Sequence, residues 1–185
     1  KAAETGSANA WNDMGVALGD PDDDGDFDLY VTNIDGASTK SVLLRNTSQS
    51  PVPSYTEVSQ SVGITGGSWG WGTTWLDVDN DGYLDLAHTN GAATSPCSSD
   101  VSRLYRNNGG ASLSFTDISA SAGFNDTYWG VGLVAFDRDR DGDLDVFQTT
   151  NSTGGPARLL DNAPTTPGNH FLEVKPRMPG TNHWA

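Results

Sequence analysis

The sequence predicts an all-β fold assembled from three copies of one strand-rich unit. Three observations carry this. Gly (22 residues) and Pro (9) are abundant beside many Ser, Thr and Asn in a chain of 185 residues, the composition of short strands joined by tight turns. No stretch shows a helical apolar period of usable length. An acidic segment with matching flanks recurs at intervals of 57 and 60 residues, starting at Asp20, Asp77 and Asp137.

Each copy reads as four strands. The first enters the acidic loop over residues 16–19, 73–76 and 133–136. It follows a Gly placed five residues before the loop (Gly15, Gly72, Gly132) and a Trp shortly before that (Trp11, Trp69, Trp129). The second strand leaves the loop over 27–32, 84–89 and 144–149. The third ends at Leu44-Arg45-Asn46, Tyr105-Arg106-Asn107 and Leu160-Asp161-Asn162. The fourth carries an aromatic-Thr-acid-aliphatic pattern: Tyr55-Thr56-Glu57-Val58, Phe115-Thr116-Asp117-Ile118 and, more loosely, Phe171-Leu172-Glu173-Val174. Segments such as Asn107-Asn108-Gly109-Gly110 supply the turns between them. Four strands in about 60 residues is the size of a β-propeller blade. A single such unit cannot bury both faces, so neighbours must stack, with the repeated Trp, Leu, Val and Phe positions filling the space between units.

Charge singles out the loops. The formal net charge is −14, and 15 of the 24 acidic residues fall within residues 20–28, 77–85 and 137–145. Carboxylates this close repel unless a cation lies among them. The net charge argues against nucleic acid or an anionic membrane surface as partner, and no apolar run approaches the roughly 20 residues of a membrane-spanning helix. Cys97 stands alone, so no disulfide forms within the chain. The triplets beginning at Asn46, Asn125 and Asn151 are N-glycosylation sequons, a weak sign of secretion. The chain begins at Lys1 with no visible signal peptide, as expected of a processed or trimmed N-terminus.

All three loops read Asp-x-Asp-x-Asp-Gly-x-x-Asp. Positions 1, 3, 5 and 9 are Asp20, Asp22, Asp24 and Asp28; Asp77, Asp79, Asp81 and Asp85; and Asp137, Asp139, Asp141 and Asp145. Position 6 is Gly25, Gly82 or Gly142, where a sharp turn needs a residue without Cβ. Position 7 is Asp26, Tyr83 or Asp143, and its variation points to the backbone carbonyl as ligand. Positions 8 and 10 are apolar in every copy, so period 2 predicts that both face a core while the Asp between them faces the loop. Hard carboxylates plus a carbonyl and water suit Ca²⁺, which takes about 6–8 oxygens; about three ions per chain are expected. No thiolate or imidazole is offered to Zn²⁺ or copper, and Mg²⁺ rarely accepts an all-protein cage. An EF-hand would need Glu at position 12 and flanking helices, whereas Val31, His88 and Gln148 occupy that position between strands. Tandem nonapeptide calcium repeats do not fit spacings of 57 and 60 residues.

On residues 15–33, 72–90 and 132–150, with the Arg-Asn and aromatic-Thr-acid segments, the chain resembles the FG-GAP/VCBS calcium repeats of integrin-α-like propellers. It is similar above all to the cartilage acidic protein-like family, which joins such repeats to an ASPIC/UnbV domain. Residues 1–168 correspond to the propeller repeats, and 169–185, opening with Asn169-His170-Phe171, to the start of a truncated ASPIC/UnbV segment. The resemblance implies a calcium-bearing β-propeller, often seven-bladed, with a structural or adhesive role outside the cell or in its envelope, and no enzymatic activity. Three units do not close a seven-bladed ring, so the chain is expected to be part of a longer protein or to complete a ring or filament with other copies.

The residues bear on three functions. A calcium-stabilised extracellular or periplasmic scaffold that contacts proteins or glycans needs only the loops. A polysaccharide-acting enzyme finds little support: His88, His170 and His183 are isolated, and no nucleophile elbow, HExxH or phosphate loop occurs. A lectin-like or adhesion subunit would use Trp69, Trp71, Trp129 and Trp184 for stacking. Arg138 and Arg140, interleaved with the third loop's ligands, are expected to point outward and soften the local charge.

Overall fold

The computed structural model describes residues 2–8, 12–34, 40–48, 51–92, 100–151, 155–163 and 171. After a one-turn helix α1 (Ala2–Thr5) come eleven strands in three antiparallel sheets. The first sheet holds β1 (Asp13–Gly19), β2 (Asp28–Asn33), β3 (Val42–Asn46) and β4 (Tyr55–Glu57) in chain order. The second repeats the plan with β5 (Gly70–Leu76), β6 (Asp85–Asn90), β7 (Arg103–Asn107) and β8 (Phe115–Asp117). The third contains β9 (Gly130–Phe136), β10 (Asp145–Thr150) and β11 (Arg158–Leu160). The protein is thus all-β, and every predicted strand within the described residues is present. Trp11, Cys97, His170, His183, Trp184 and, apart from Phe171, residues 169–185 lie outside them.

Incoming strands start about three residues earlier than the pattern predicts, because the pairing continues past a register shift beside the conserved-in-repeat Gly. At that shift the Gly15, Gly72 and Gly132 N–H groups each donate to a threonine hydroxyl of the neighbouring strand, Thr32, Thr89 and Thr149, at 2.8–2.9 Å. The glycines also let the first strands of successive sheets touch. A Cβ on Gly15 would lie 2.2 Å from the Trp71 carbonyl oxygen, and one on Gly72 would lie 2.8 Å from the Leu133 nitrogen.

The acid of the fourth-strand pattern also has a local task. Glu57 and Asp117 accept the N–H of Ser59 and Ser119 at 2.8 and 2.9 Å. Those serine hydroxyls in turn accept the Leu43 and Leu104 N–H groups at 2.6 and 2.9 Å, closing the turn back onto the third strand.

Sheets stack through complementary rows of side chains. On one face of the first sheet Ala17, Tyr30 and Leu43 stand in register across β1, β2 and β3. They pack with Leu86, Tyr105 and Phe115 of the second sheet and with Ile64, and Trp75 lies against the cluster. On its other side the second sheet presents Leu76, Ala87 and Leu104 to Val146, with Leu133, Ala135 and Leu160 of the third sheet packed alongside. Inside the first joint Tyr30 and His88 stack at 5.6 Å, and Tyr30 Oη lies 2.5 Å from His88 Nδ1. His88 is therefore a satisfied core residue; desolvation holds its pKa down to about 3, so it stays neutral.

The expectation that positions 8 and 10 face a core holds in the third unit, where Leu144 and Val146 share one apolar cluster, and Leu86 is fully buried in the second. It fails at Phe27, which is 61% exposed, and Asp28, Asp85 and Asp145 are almost wholly buried. Phe27 lies on the side of the first sheet that no other described sheet covers.

Candidate metal centres

Each acidic loop joins the first two strands of its sheet, and the three share one hydrogen-bond plan. The position 1 carboxylate folds the loop around itself. Asp20 accepts the Asp24 and Gly25 N–H groups at 3.1 and 2.9 Å, and Asp77 accepts those of Asp81 and Gly82 at 3.0 and 2.9 Å. Asp137 accepts those of Arg140 and Gly142 at 2.6 and 3.2 Å. Position 5 then accepts the position 7 N–H, in the pairs Asp24–Asp26, Asp81–Tyr83 and Asp141–Asp143.

Two residues per loop take positive φ. Gly25, Gly82 and Gly142 at position 6 lie at 90°, 91° and 94°, as their residue type predicts. Position 4 was not foreseen: Asp23, Asn80 and Arg140 lie at 55°, 55° and 67°. Asp and Asn tolerate this region, and Arg140 does so at some strain. Around Gly82 there is no atom within 4 Å of a built Cβ, so substitution there tests the backbone alone. Gly82→Ala is expected to cost about 1–2 kcal/mol, read as a lower urea midpoint with an unchanged slope.

The plan converges side-chain oxygens. One oxygen each from Asp20, Asp22 and Asp24, from Asp77, Asp79 and Asp85, and from Asp137, Asp139 and Asp141 lies within 4.8 Å of the others in its group. These are three clusters that could hold a metal ion, with oxygen the only donor. The position 7 side chains are not among these converging oxygens, and Asp143 accepts a hydrogen bond from the Asn80 amide at 2.5 Å, tying the third loop to the second.

Position 9 sits beneath each loop, buried at the start of the outgoing strand. One oxygen accepts the N–H of the repeated Asn on the third strand: Asp28 from Asn46 and Asp85 from Asn107 at 2.7 Å, Asp145 from Asn162 at 2.8 Å. The second oxygen accepts the N–H of position 2, from Val78 at 2.8 Å and Arg138 at 3.1 Å. In the first loop position 2 is Pro21, which has no N–H. Asp28 Oδ2 is accordingly buried with no hydrogen-bond partner among the described residues. Pro21 thus removes from the first loop a hydrogen bond that the other two keep, and Asp28 itself is not among the converging oxygens of that loop.

Electrostatics agree. Desolvation pushes the Asp28 and Asp85 carboxyls up to about 7, and neighbouring loop carboxylates add to the effect. Asp22 and Asp79 are raised as well, first by desolvation and then by adjacent aspartates.

Cationic side chains differ among the loops. Arg45 pairs with Asp22 and lies 3.7 Å from Asp24. In the third unit Asp161 stands where Arg45 stands in the first. The arginine is found instead at position 2: Arg138 lies 2.8 Å from Asp161, 3.2 Å from Asp139 and 3.8 Å from Asp145. Arg138 is exposed, and its pairs with Asp139 and Asp161 soften the local charge as expected. Arg140 is exposed.

The tryptophans form a seam at the start of the first strands. Trp71 bridges Trp69 and Trp129, with ring centroids 6.5 and 5.7 Å apart, so Trp71 and Trp129 join the second unit to the third. Asn46 is buried with its carbonyl oxygen bonded to Ser48 and Ser54, a poor glycan acceptor, whereas Asn125 is exposed.

Sequence reasoning marked the Arg-Asn repeat without finding its task. Its asparagine fixes the buried aspartate of its own loop, and in the second and third units it also reaches the preceding loop. Asn107 Nδ2 donates to the Pro21 carbonyl at 2.7 Å, and Asn162 Nδ2 to the Val78 carbonyl at 2.6 Å. Recurrence of the asparagine at constant distance from the loop was the available signal.

Fold and loops together define an all-β protein with three acidic oxygen clusters able to hold metal ions. No family model matches the chain, and no curated protein matches it.

Proposed function

We propose that the chain is a calcium-binding structural or adhesion module, working outside the cell or in its envelope, whose three sheets are propeller-type blades of the FG-GAP/VCBS kind. The observation that carries the reading is the convergence, in each of the three loops, of three aspartate oxygens to within 4.8 Å of one another. Hard oxygen donors and the absence of soft donors in the three clusters favour Ca²⁺ over Mg²⁺ or Zn²⁺. Each ion would sit where an incoming strand turns into an outgoing one, so binding stabilises the fold directly. Three ions would bring the net charge from −14 to about −8. The reading assigns the protein contacts with proteins or glycans and no reaction. The Trp69–Trp71–Trp129 seam is the surface best suited to a sugar ring.

Chelator-stripped protein reconstituted with calcium should carry about three ions per chain by elemental analysis, with a higher melting temperature than an equal concentration of Mg²⁺ produces. Asp20→Ala, Asp77→Ala and Asp137→Ala should each remove one ion. If stripped protein takes up no calcium and melts unchanged, the reading is lost.

A further inference from the structure

We infer that the second and third metal loops load cooperatively, an ion in either one raising the affinity of the other. The inference rests on the calcium reading and adds to it a coupling between sites. Two separate sets of hydrogen bonds join these loops, and each touches backbone that lies between the clustered carboxylates.

The first set starts at Asn80, the position 4 residue of the second loop, which stands between Asp79 and Asp81 at a φ of 55°. Its amide donates to the Asp143 carboxylate at 2.5 Å and to the Gly142 carbonyl at 3.3 Å. Both partners are acceptors, which fixes the amide nitrogen as the group that faces them. Positions 6 and 7 of the third loop are thereby held from a residue of the second. Gly142 is also the residue whose N–H closes the third loop onto Asp137, at 3.2 Å.

The second set connects the buried position 9 carboxylates. Asp85 accepts the Val78 N–H at 2.8 Å, and the Val78 carbonyl accepts Asn162 Nδ2 at 2.6 Å. The Asn162 N–H in turn donates to Asp145 at 2.8 Å. Val78 lies between Asp77 and Asp79, two members of the second cluster, and Asp85 is the third. Whatever fixes Val78 therefore also fixes the residue that holds Asp145. A single link of this kind runs to the first loop: Asn107, whose N–H is held by Asp85, donates its Nδ2 to the Pro21 carbonyl between Asp20 and Asp22.

The sign of the coupling follows from what an empty loop must undergo. Carboxylates gathered within 4.8 Å repel one another, so a loop without an ion is eased by loosening. The ion that binds it must order it again. With the second loop closed on its ion, Asn80 and Val78 are fixed. The third loop is then held at positions 6, 7 and 9 before its own ion arrives, and part of the ordering is done once for two ions. Linkage makes the effect reciprocal. Repulsion between the ions works against it. The two loops carry four and five aspartates within residues 77–85 and 137–145, more charge than two divalent ions cancel. Salt at about 0.15 M screens what remains beyond about 8 Å.

Calcium titration by calorimetry in an Asp20→Ala background, where the second and third loops are the two sites, is the test. Adding Asp137→Ala or Asp77→Ala isolates each of these loops. The product of the two stepwise affinities in Asp20→Ala should exceed the product of the isolated affinities by about tenfold. Asn80→Gly keeps the left-handed backbone and every clustered carboxylate but removes the first set of bonds. Introduced into all three proteins, it should leave circular dichroism and the number of bound ions unchanged and shrink that excess severalfold. Calcium bound with no excess in the product, or with an excess that Asn80→Gly does not change, would overturn the coupling and leave the calcium reading standing. A chain that takes up no calcium would overturn both.

Discussion

Calcium affinity at the first two loops is expected to rise about tenfold for each pH unit below about pH 7 and to level off above it. The cause is the buried position 9 carboxylate. Asp28 and Asp85 are pushed up to about 7, mainly by desolvation. In metal-free protein below that pH each holds a proton, and an incoming ion must displace it. One proton exchanged per site makes the logarithm of the affinity climb with unit slope until the carboxyl ionises by itself. Calorimetric titrations from about pH 5.5 to about pH 8.5, repeated in buffers of different ionisation enthalpy, would count the protons released. An affinity flat across that range would show that Asp28 and Asp85 do not exchange a proton for the ion.

Stability of the metal-free protein is a less direct readout of the same groups. A carboxyl raised in the folded state binds more protons folded than unfolded. Its contribution therefore declines as pH rises from about 4 to about 7. His88 works the other way. Its folded pKa of about 3 lies below the ordinary 6.5, so acid favours the unfolded chain between those values. Two carboxyls oppose one imidazole, and stability should fall modestly toward neutrality. Saturating calcium should cancel the carboxyl part and leave the His88 part.

Tyr105→Ala is expected to lower stability by about 3–5 kcal/mol, enough to threaten a domain whose total is typically about 5–15 kcal/mol. Tyr105 is fully buried in the joint between the first two sheets. It stands in register with Leu86 and packs edge-on to His88 at 5.8 Å. Its hydroxyl donates to the Thr65 carbonyl. Truncation removes an aromatic ring from a packed interior and strands that carbonyl. Tyr105→Phe keeps the ring and loses only the hydrogen bond, so it should cost about 1 kcal/mol. Urea denaturation with calcium present would rank the two; equal costs would place the energy in the hydroxyl rather than in packing.

Much of this architecture was legible in the chain because it is local and repeated. A loop that alternates carboxylates and then turns at Gly25, Gly82 or Gly142 encodes its geometry within nine residues, and three copies separate pattern from accident. Strand alternation beside each loop did the same for the sheets. What stayed hidden depends on residues distant in sequence. The burial of Asp28, Asp85 and Asp145 beneath their loops goes with the third-strand Asn N–H that each accepts, a pairing that period 2 alone does not reveal. Arg138 pairs with Asp161, 23 residues away, which stands where the first unit has an arginine.

The sequence by itself determined the all-β class, the three units, their strands and the oxygen-only donor set, since each of these rests on spacing within a few residues. Only the tertiary structure decided how the units join: which apolar row meets which, that Asn107 and Asn162 hold the loop of the preceding unit, and that Pro21 leaves Asp28 with an oxygen no donor reaches. Stacking brings together groups more than 80 residues apart, and no local period records which partner each will find.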